Sequence, residues 1–305
     1  VTGAGVLASL PAGARVLVIR LRSLGDCVLT TPALALLRAY RPDLRVAVVT
    51  ETQFAAVFEK NPDIDALLEP SWAAVAGWRA HLCLNLHGGP RSTALTLASG
   101  AAHRAGFAHF RFRAAYNIRI PRAQEILGVE RVVHTAEHLA SAMFYLGVPP
   151  GQIPRAKLVA RPRAAGRRYM VLHPFAAAPE KAWPARYFAA VAEHVAAHWG
   201  IEPVFIGARQ DDFSPFLRFR TVAGAPLGEV KDLIGGAAVF AGNDSGPAHM
   251  AAALGVPVAV IFGASDPRIW GPWRCRSEVL VAQEGLAQVP PEQMIRALER
   301  LRGNP

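Results

Sequence analysis

The stretch Ala238-Val239-Phe240-Ala241-Gly242-Asn243-Asp244-Ser245-Gly246-Pro247-Ala248-His249-Met250-Ala251-Ala252-Ala253-Leu254-Gly255 reads as a buried strand, a tight polar turn and a helix. Apolar residues run up to Gly242, and turn-forming Asn, Asp, Ser and Gly follow. Pro247 has the fixed φ favoured at a first helical position, with Ser245 or Asp244 as the cap. Gly255 closes the helix, and Val256-Pro257-Val258-Ala259-Val260-Ile261-Phe262-Gly263 supplies the next buried strand, one turn of a parallel α/β unit. A strand, a Gly turn and a helix N-terminus together expose backbone N–H groups at the positive end of a helix dipole, which suits an anion such as phosphate. Most such turns bind nothing; Asp244 and His249 flanking this one single it out as a candidate for an anionic ligand.

The same βα rhythm extends in both directions. Arg15-Val16-Leu17-Val18-Ile19-Arg20 is a first strand, followed by Leu21-Arg22-Ser23-Leu24-Gly25-Asp26 and a helix through Tyr40. Strands are expected at 45–49, 66–68, 81–86 and 104–107, with helices at 53–59, 72–78, 91–98 and 134–146. The arginine-rich segment from Phe110 to Arg131 reads as an irregular surface loop. Linker composition at Pro149-Pro150-Gly151 and Arg161-Pro162-Arg163-Ala164-Ala165-Gly166-Arg167-Arg168 separates a second series. That series has strands at 169–173, 203–207, 239–243, 258–262 and 279–281, and helices at 184–199, 212–217, 228–235 and 290–302. The expected fold class is α/β, two Rossmann-like doubly wound domains over residues 1–160 and 161–305 facing across a cleft, the final helix being free to pack back on the N-terminal domain.

The 305 residues carry 33 Lys+Arg against 23 Asp+Glu, a net charge of +10, and nearly all the positive charge is Arg. Arg favours bidentate contacts to phosphate and carboxylate, so anionic substrates or an anionic membrane surface fit, although a GC-rich genome explains an Arg excess equally well. The arginines are scattered without a nucleic-acid-binding motif, so nucleic acid is not expected as a partner. Cys27, Cys83 and Cys275 have no paired or metal-site spacing and read as reduced thiols. Val1 to Ala14 lacks the basic start of a signal peptide and no apolar run reaches spanning length, so a cytoplasmic protein is expected, at most peripheral on a membrane.

Asp26, beyond the first strand and after a Gly25 able to take φ above zero, is the carboxylate best placed for chemistry; a first-turn acid or cap of the following helix is the equally weighted alternative. Arg20 and Arg22 there hold an anionic acceptor or form salt bridges. Lys181 lies on the expected ligand edge of the second domain, within reach of a diphosphate at the Gly246 turn, against the default of a solvated lysine. His249 donates to a phosphate oxygen or packs against the turn. Asp63-Ile64-Asp65 falls on the opposite edge, so no metal site is expected. Gly-x-Gly-x-x-Gly, P-loop and Gly-x-Ser-x-Gly motifs are all absent, which lowers nicotinamide, ATP-hydrolysing and hydrolase readings.

Val16-Leu17-Val18-Ile19-Arg20 with Ser23-Leu24-Gly25-Asp26 and Thr31-Pro32-Ala33-Leu34, then Lys181-Ala182-Trp183-Pro184, Asn243-Asp244-Ser245-Gly246-Pro247-Ala248-His249 and Phe262-Gly263-Ala264-Ser265-Asp266-Pro267, resemble glycosyltransferase family 9, the ADP-heptose:lipopolysaccharide heptosyltransferases. The resemblance runs from about Arg15 to Arg302. It implies a GT-B fold and a metal-independent, cofactor-free, inverting transfer of heptose from ADP-heptose to the inner core of lipopolysaccharide. Asp26 would be the general base. Lys181, Asp244, Ser245, Gly246, Pro247 and His249 would serve the ADP-sugar donor, while Arg20, Arg22, Ser23 and Gly25 would serve the anionic acceptor. A monomer in peripheral contact with the inner membrane is expected. Phe175 stands where the family often has Gly, Asn85 where it often has Asp, and the segment from Asp211 to Ala225 is short, though Asp211 and Asp212 remain available to the ribose. The alternatives are another nucleotide sugar, a nucleotide-sugar epimerase, and a nucleotide-sugar-binding protein without catalysis.

Overall fold

The computed structural model describes residues 5–161, 166, 168–176 and 181–303. Most of the linker stretch 161–168, together with Ala177 to Glu180 and the first four residues, lies outside the described residues. The chain divides into two compact units after Val159.

The first unit contains α1 (Val6–Ser9), β1 (Arg15–Ile19), α2 (Leu24–Tyr40), β2 (Arg45–Val49), β3 (Ala66–Leu68), α3 (Trp72–Gly77), β4 (Leu82–Asn85), α4 (Pro90–Ala98), β5 (His103–Phe107), β6 (Ile118–Ile120), α5 (Ala123–Leu127) and α6 (Thr135–Leu146). Its six strands are all parallel in the order β3-β2-β1-β4-β5-β6. The central strands are apolar on both sides because helices cover both faces. On one face Leu17 and Ile19 of β1 pack with Ala47, Val49, Val75, Cys83 and Leu95. Burial pushes the Cys83 thiol up to about 12, so it is an inert core group.

The second unit contains β7 (Tyr169–His173), α7 (Ala185–Trp199), β8 (Glu202–Gly207), β9 (Arg220–Ala223), α8 (Leu227–Gly235), β10 (Val239–Asn243), α9 (Gly246–Leu254), β11 (Val258–Phe262), α10 (Pro267–Trp270), β12 (Ser277–Val281) and α11 (Pro291–Gly303). The parallel order β12-β11-β10-β7-β8-β9 repeats the winding of the first unit. Met170, Leu172, Trp183, Phe188, Phe205, Ile261, Met294 and Leu298 are in its core. The final helix α11 rests on α7, β11 and β12 of this same unit.

Each sheet reverses direction once, between β1 and β4 and between β7 and β10. At such a switch point the loops leaving neighbouring strands splay apart and open a crevice beyond the carboxyl ends.

The structure corrects several local expectations. The segment 110–131 is not wholly irregular: it holds β6 and α5, with Ile118 and Ile120 buried and Arg119 exposed between them. The strand β9 falls in the short segment 211–225. Both are edge strands of only three or four residues, β6 with Arg119 between its two Ile and β9 opening on Arg220, too short for a period to emerge. The helices expected at 53–59 and 212–217 are 3-10 turns, Thr52–Val57 and Ser214–Phe216.

Candidate active site

In the first unit the crevice is built from the ends of β1 and β4 and the start of α2. Ser23 is the N-cap of α2 and Asp26 its third residue, so Asp26 lies in the helix's first turn and not in the loop. Gly25 is a buried helical residue and is not among the glycines of positive φ. Helix geometry turns the third side chain back toward the cap: the Ser23 hydroxyl donates to Asp26 Oδ2 at 3.0 Å and the Ser23 amide to the same oxygen at 3.4 Å. The Arg20 guanidinium pairs with Asp26 Oδ1 and donates to the Leu86 carbonyl at the end of β4. Arg20 is 7% exposed, and its Nε is buried without a hydrogen-bonding partner. Arg22 is exposed.

A carboxylate offers about four lone-pair sites. Arg20 takes a site on Oδ1 and Ser23 bonds Oδ2, yet the Asp26 side chain remains 21% exposed, so a lone pair is left to accept a proton from a bound hydroxyl.

Sequence reasoning missed the histidines around this group. His87, just beyond β4, hydrogen-bonds the Arg22 backbone, and burial, then Arg20, lowers its pKa. His138 of α6 stacks on Phe107 at 4.1 Å; burial, with His109 and Arg20 adding to it, pushes it down to about 4. No motif spacing links residues drawn from three separate elements. Gly88 has φ +81, and a Cβ there would lie 2.5 Å from the Phe110 ring, so only glycine fits this turn beside His87. Asn85, the last residue of β4, fixes that loop: its Oδ1 accepts from the amides of His87 (2.9 Å) and Gly88 (3.0 Å), while its Nδ2 donates to Thr96 and Tyr116. An Asp could not donate those last two bonds, which is a physical reason for Asn at this position.

The second unit repeats the device. Asn243, fully buried at the end of β10, accepts from the Trp183 amide at 2.9 Å and donates to the Pro174 carbonyl at 2.8 Å, tying the loop after β7 to the switch point. Ser245 is the N-cap of α9, but its hydroxyl does not cap; it pairs with His173 Nδ1 at 3.2 Å. Pro247 is the second helical residue, after Gly246. The amides of Ser245 and Gly246 meet no acceptor among the described residues. They are open donors at the positive end of a nine-residue helix.

Asp244 does not cap either. Its side chain hydrogen-bonds Ser265 and lies within electrostatic reach of Lys181; burial raises its pKa against both of those partners. Lys181 is exposed. His249 is the fourth residue of α9 and only 6% exposed, packed within the first turn. Ser245, Gly246, Asp244 and Lys181 thus gather on one edge, with His249 behind them. Phe175 stacks edge-on to Phe213 at 4.9 Å and fills the space that Gly207 leaves open. Asp211 and Asp212 bond the amides of Ala208 and Ser214, so both serve turns. Among the described residues no three His, Cys, Asp or Glu side chains group as a metal site, and no helix is long and apolar enough to cross a membrane.

Two doubly wound sheets, each with polar groups at its switch point, define the GT-B class of glycosyltransferase folds. The chain belongs to glycosyltransferase family 9 (heptosyltransferase), whose family model matches residues 72–294. A lipopolysaccharide heptosyltransferase 3 of Escherichia coli is 26% identical over 82% of this chain and 83% of its own length. The glycosyl transferase family 9 crystal structure from Veillonella parvula superposes with a TM-score of 0.85 at 24% identity, covering 98% of this chain and 99% of that one. The E. coli heptosyltransferase WaaC, solved with ADP-2-deoxy-2-fluoro heptose, gives a TM-score of 0.75 at 19% identity, covering 94% and 99%.

Proposed function

We propose that the protein transfers a heptose from ADP-heptose to the inner core of lipopolysaccharide, with inversion and without a metal ion. Family membership sets the reaction class. The observation that carries the donor assignment is the Ser245-Gly246 turn, where two open amides, the dipole of α9 and Lys181 offer positive potential to a diphosphate. The WaaC structure with an ADP-heptose analogue supports the choice of donor.

In the reaction, Asp26 takes the proton of an acceptor hydroxyl as that oxygen attacks the anomeric carbon. The new C–O bond forms opposite the breaking bond to the diphosphate, and ADP leaves with the electron pair. The Ser245 and Gly246 amides and Lys181 stabilise the charge that develops on the leaving group. Arg20 holds Asp26 in place, and Arg22 and Ser23 face the acceptor with it. Asp244 meets sugar hydroxyls of the donor. His249 acts from behind the turn.

The net charge of +10 and the exposed Phe112, with the Arg111 guanidinium 5.6 Å from its ring, support peripheral contact of a cytoplasmic monomer with an anionic membrane surface. The test is ADP release from ADP-heptose with and without a lipopolysaccharide inner-core acceptor, in the presence of EDTA, combined with calorimetry of ADP, UDP and GDP. Acceptor-dependent release and preference for ADP are expected. Conversion of the donor to an isomeric ADP-sugar without acceptor and without ADP release would indicate an epimerase, and donor binding without turnover a binding protein.

A further inference from the structure

The edge of the second sheet opposite Asp244 and Ser245 carries a cavity of about 180 Å³ that the transfer reaction does not use. It is lined at the amino ends of the strands by Arg168, which precedes β7, by Val239 of β10 and by Arg276, which precedes β12. The ends of two helices complete it: Trp199 from α7, and Leu298 and Arg302 from α11.

Its floor is apolar and its mouth is cationic. Leu298 is buried, whereas Arg168, Arg276 and Arg302 are exposed. The guanidinium of Arg302 lies 5.2 Å from the centroid of the Trp199 ring. None of the three arginines is within ion-pair distance of a carboxylate among the described residues; the nearby Glu278 is already taken by Arg300 at 2.7 Å. Three like charges around one opening repel each other, and an anion seated between them relieves that repulsion.

We propose that this cavity is a second binding site, for a small phosphate monoester carrying an apolar group. Guanidinium forks bind phosphate oxygens through paired N–H donors, and a dianion matches three cations better than a single negative charge does. The volume corresponds to roughly six water molecules and falls below that of drug-sized pockets, so it suits a phosphate with a ring or short chain. The apolar group would lie on Trp199 and Leu298.

The competing role for the arginines is structural. Arg302 complements the negative end of α11, and Arg276 donates to the Arg300 carbonyl at 3.4 Å. That role does not extend to Arg168, which lies on neither helix.

The test uses the full chain saturated with ADP, with phenyl phosphate and inorganic phosphate titrated by calorimetry. Phenyl phosphate is expected to bind at least tenfold more tightly than inorganic phosphate. Arg168→Gln and Arg302→Gln should each weaken it at least fivefold, and Trp199→Ala should remove the preference for the phenyl compound. Thermal melts of the variants without ligand separate lost binding from lost folding, and Arg168→Gln is expected to melt like the parent. No binding at 10 mM, binding abolished by ADP, or binding indifferent to both arginine substitutions would overturn the proposal. Equal affinity for the two phosphates would overturn the apolar half of the site.

Discussion

Asp26→Asn is the substitution that divides chemistry from architecture. As the general base, Asp26 should supply about 10²- to 10⁴-fold of kcat, equivalent to about 3 to 5 kcal/mol of barrier. The same carboxylate also neutralises Arg20, whose side chain is 8% exposed. Removing one partner of a buried ion pair costs about 3–5 kcal/mol. Because Asp26 is 21% exposed and Asn keeps an oxygen for Ser23, about 2–3 kcal/mol is expected here, a fall in Tm of roughly 4–12 °C for a unit of this size. Loss of activity in the single variant would therefore be ambiguous. Arg20→Met combined with Asp26→Asn removes both charges and should restore most of the Tm, since an apolar side chain replaces a stranded guanidinium. Acceptor-dependent ADP release should stay at least a hundredfold below the parent in both variants. Recovery of turnover along with Tm in the double variant would refute the base assignment and leave Asp26 as an architectural residue.

Lys181→Ala should weaken ADP binding roughly tenfold by calorimetry while leaving Tm within a degree or so, because the residue is exposed. Asn243→Ala strands the Trp183 amide and the Pro174 carbonyl and should cost about 2–4 kcal/mol in urea unfolding, with weaker ADP binding as the loop after β7 loosens. His138, pushed down to about 4, binds its proton more weakly folded than unfolded. Its contribution is complete above the unfolded value near 6.5 and is lost as pH falls from there toward 4, by roughly 2 kcal/mol at pH 5. His138→Phe, which keeps the stack on Phe107, should remove most of that roughly 2 kcal/mol loss, read as the difference in unfolding free energy between pH 7 and pH 5. Asp244 has a raised pKa, so its charge opposes folding at neutral pH and the penalty is relieved as pH falls through the folded value. Asp244→Asn should raise Tm at pH 7, and the gain should vanish in acid.

The buried central strands were legible because parallel strands covered on both faces leave unbroken apolar runs such as Val16-Leu17-Val18-Ile19 and Val258-Ala259-Val260-Ile261. The edge strands β6 and β9 were not, since three or four partly exposed residues, Ile-Arg-Ile in one and Arg-Thr-Val-Ala in the other, are too few to show a distinctive pattern. In the site, Asp26 and the Ser245-Gly246 turn could be singled out because local sequence places them. The pairing of Asp26 with Arg20 depends on helix periodicity acting across a turn, and the approach of His87 and His138 depends on sheet order and on the packing of α6. The parallel use of Asn85 and Asn243 became visible only once β4 and β10 were known to occupy the same place in two copies of one topology.

Whether this chain holds an ADP-sugar by its diphosphate on the start of α9 would be decided by a crystal structure of the protein with ADP. Phosphate oxygens are expected within hydrogen-bonding distance of the Ser245 and Gly246 amides and of Lys181 Nζ. Diphosphate density seated elsewhere, with those two amides left to solvent, would contradict that placement.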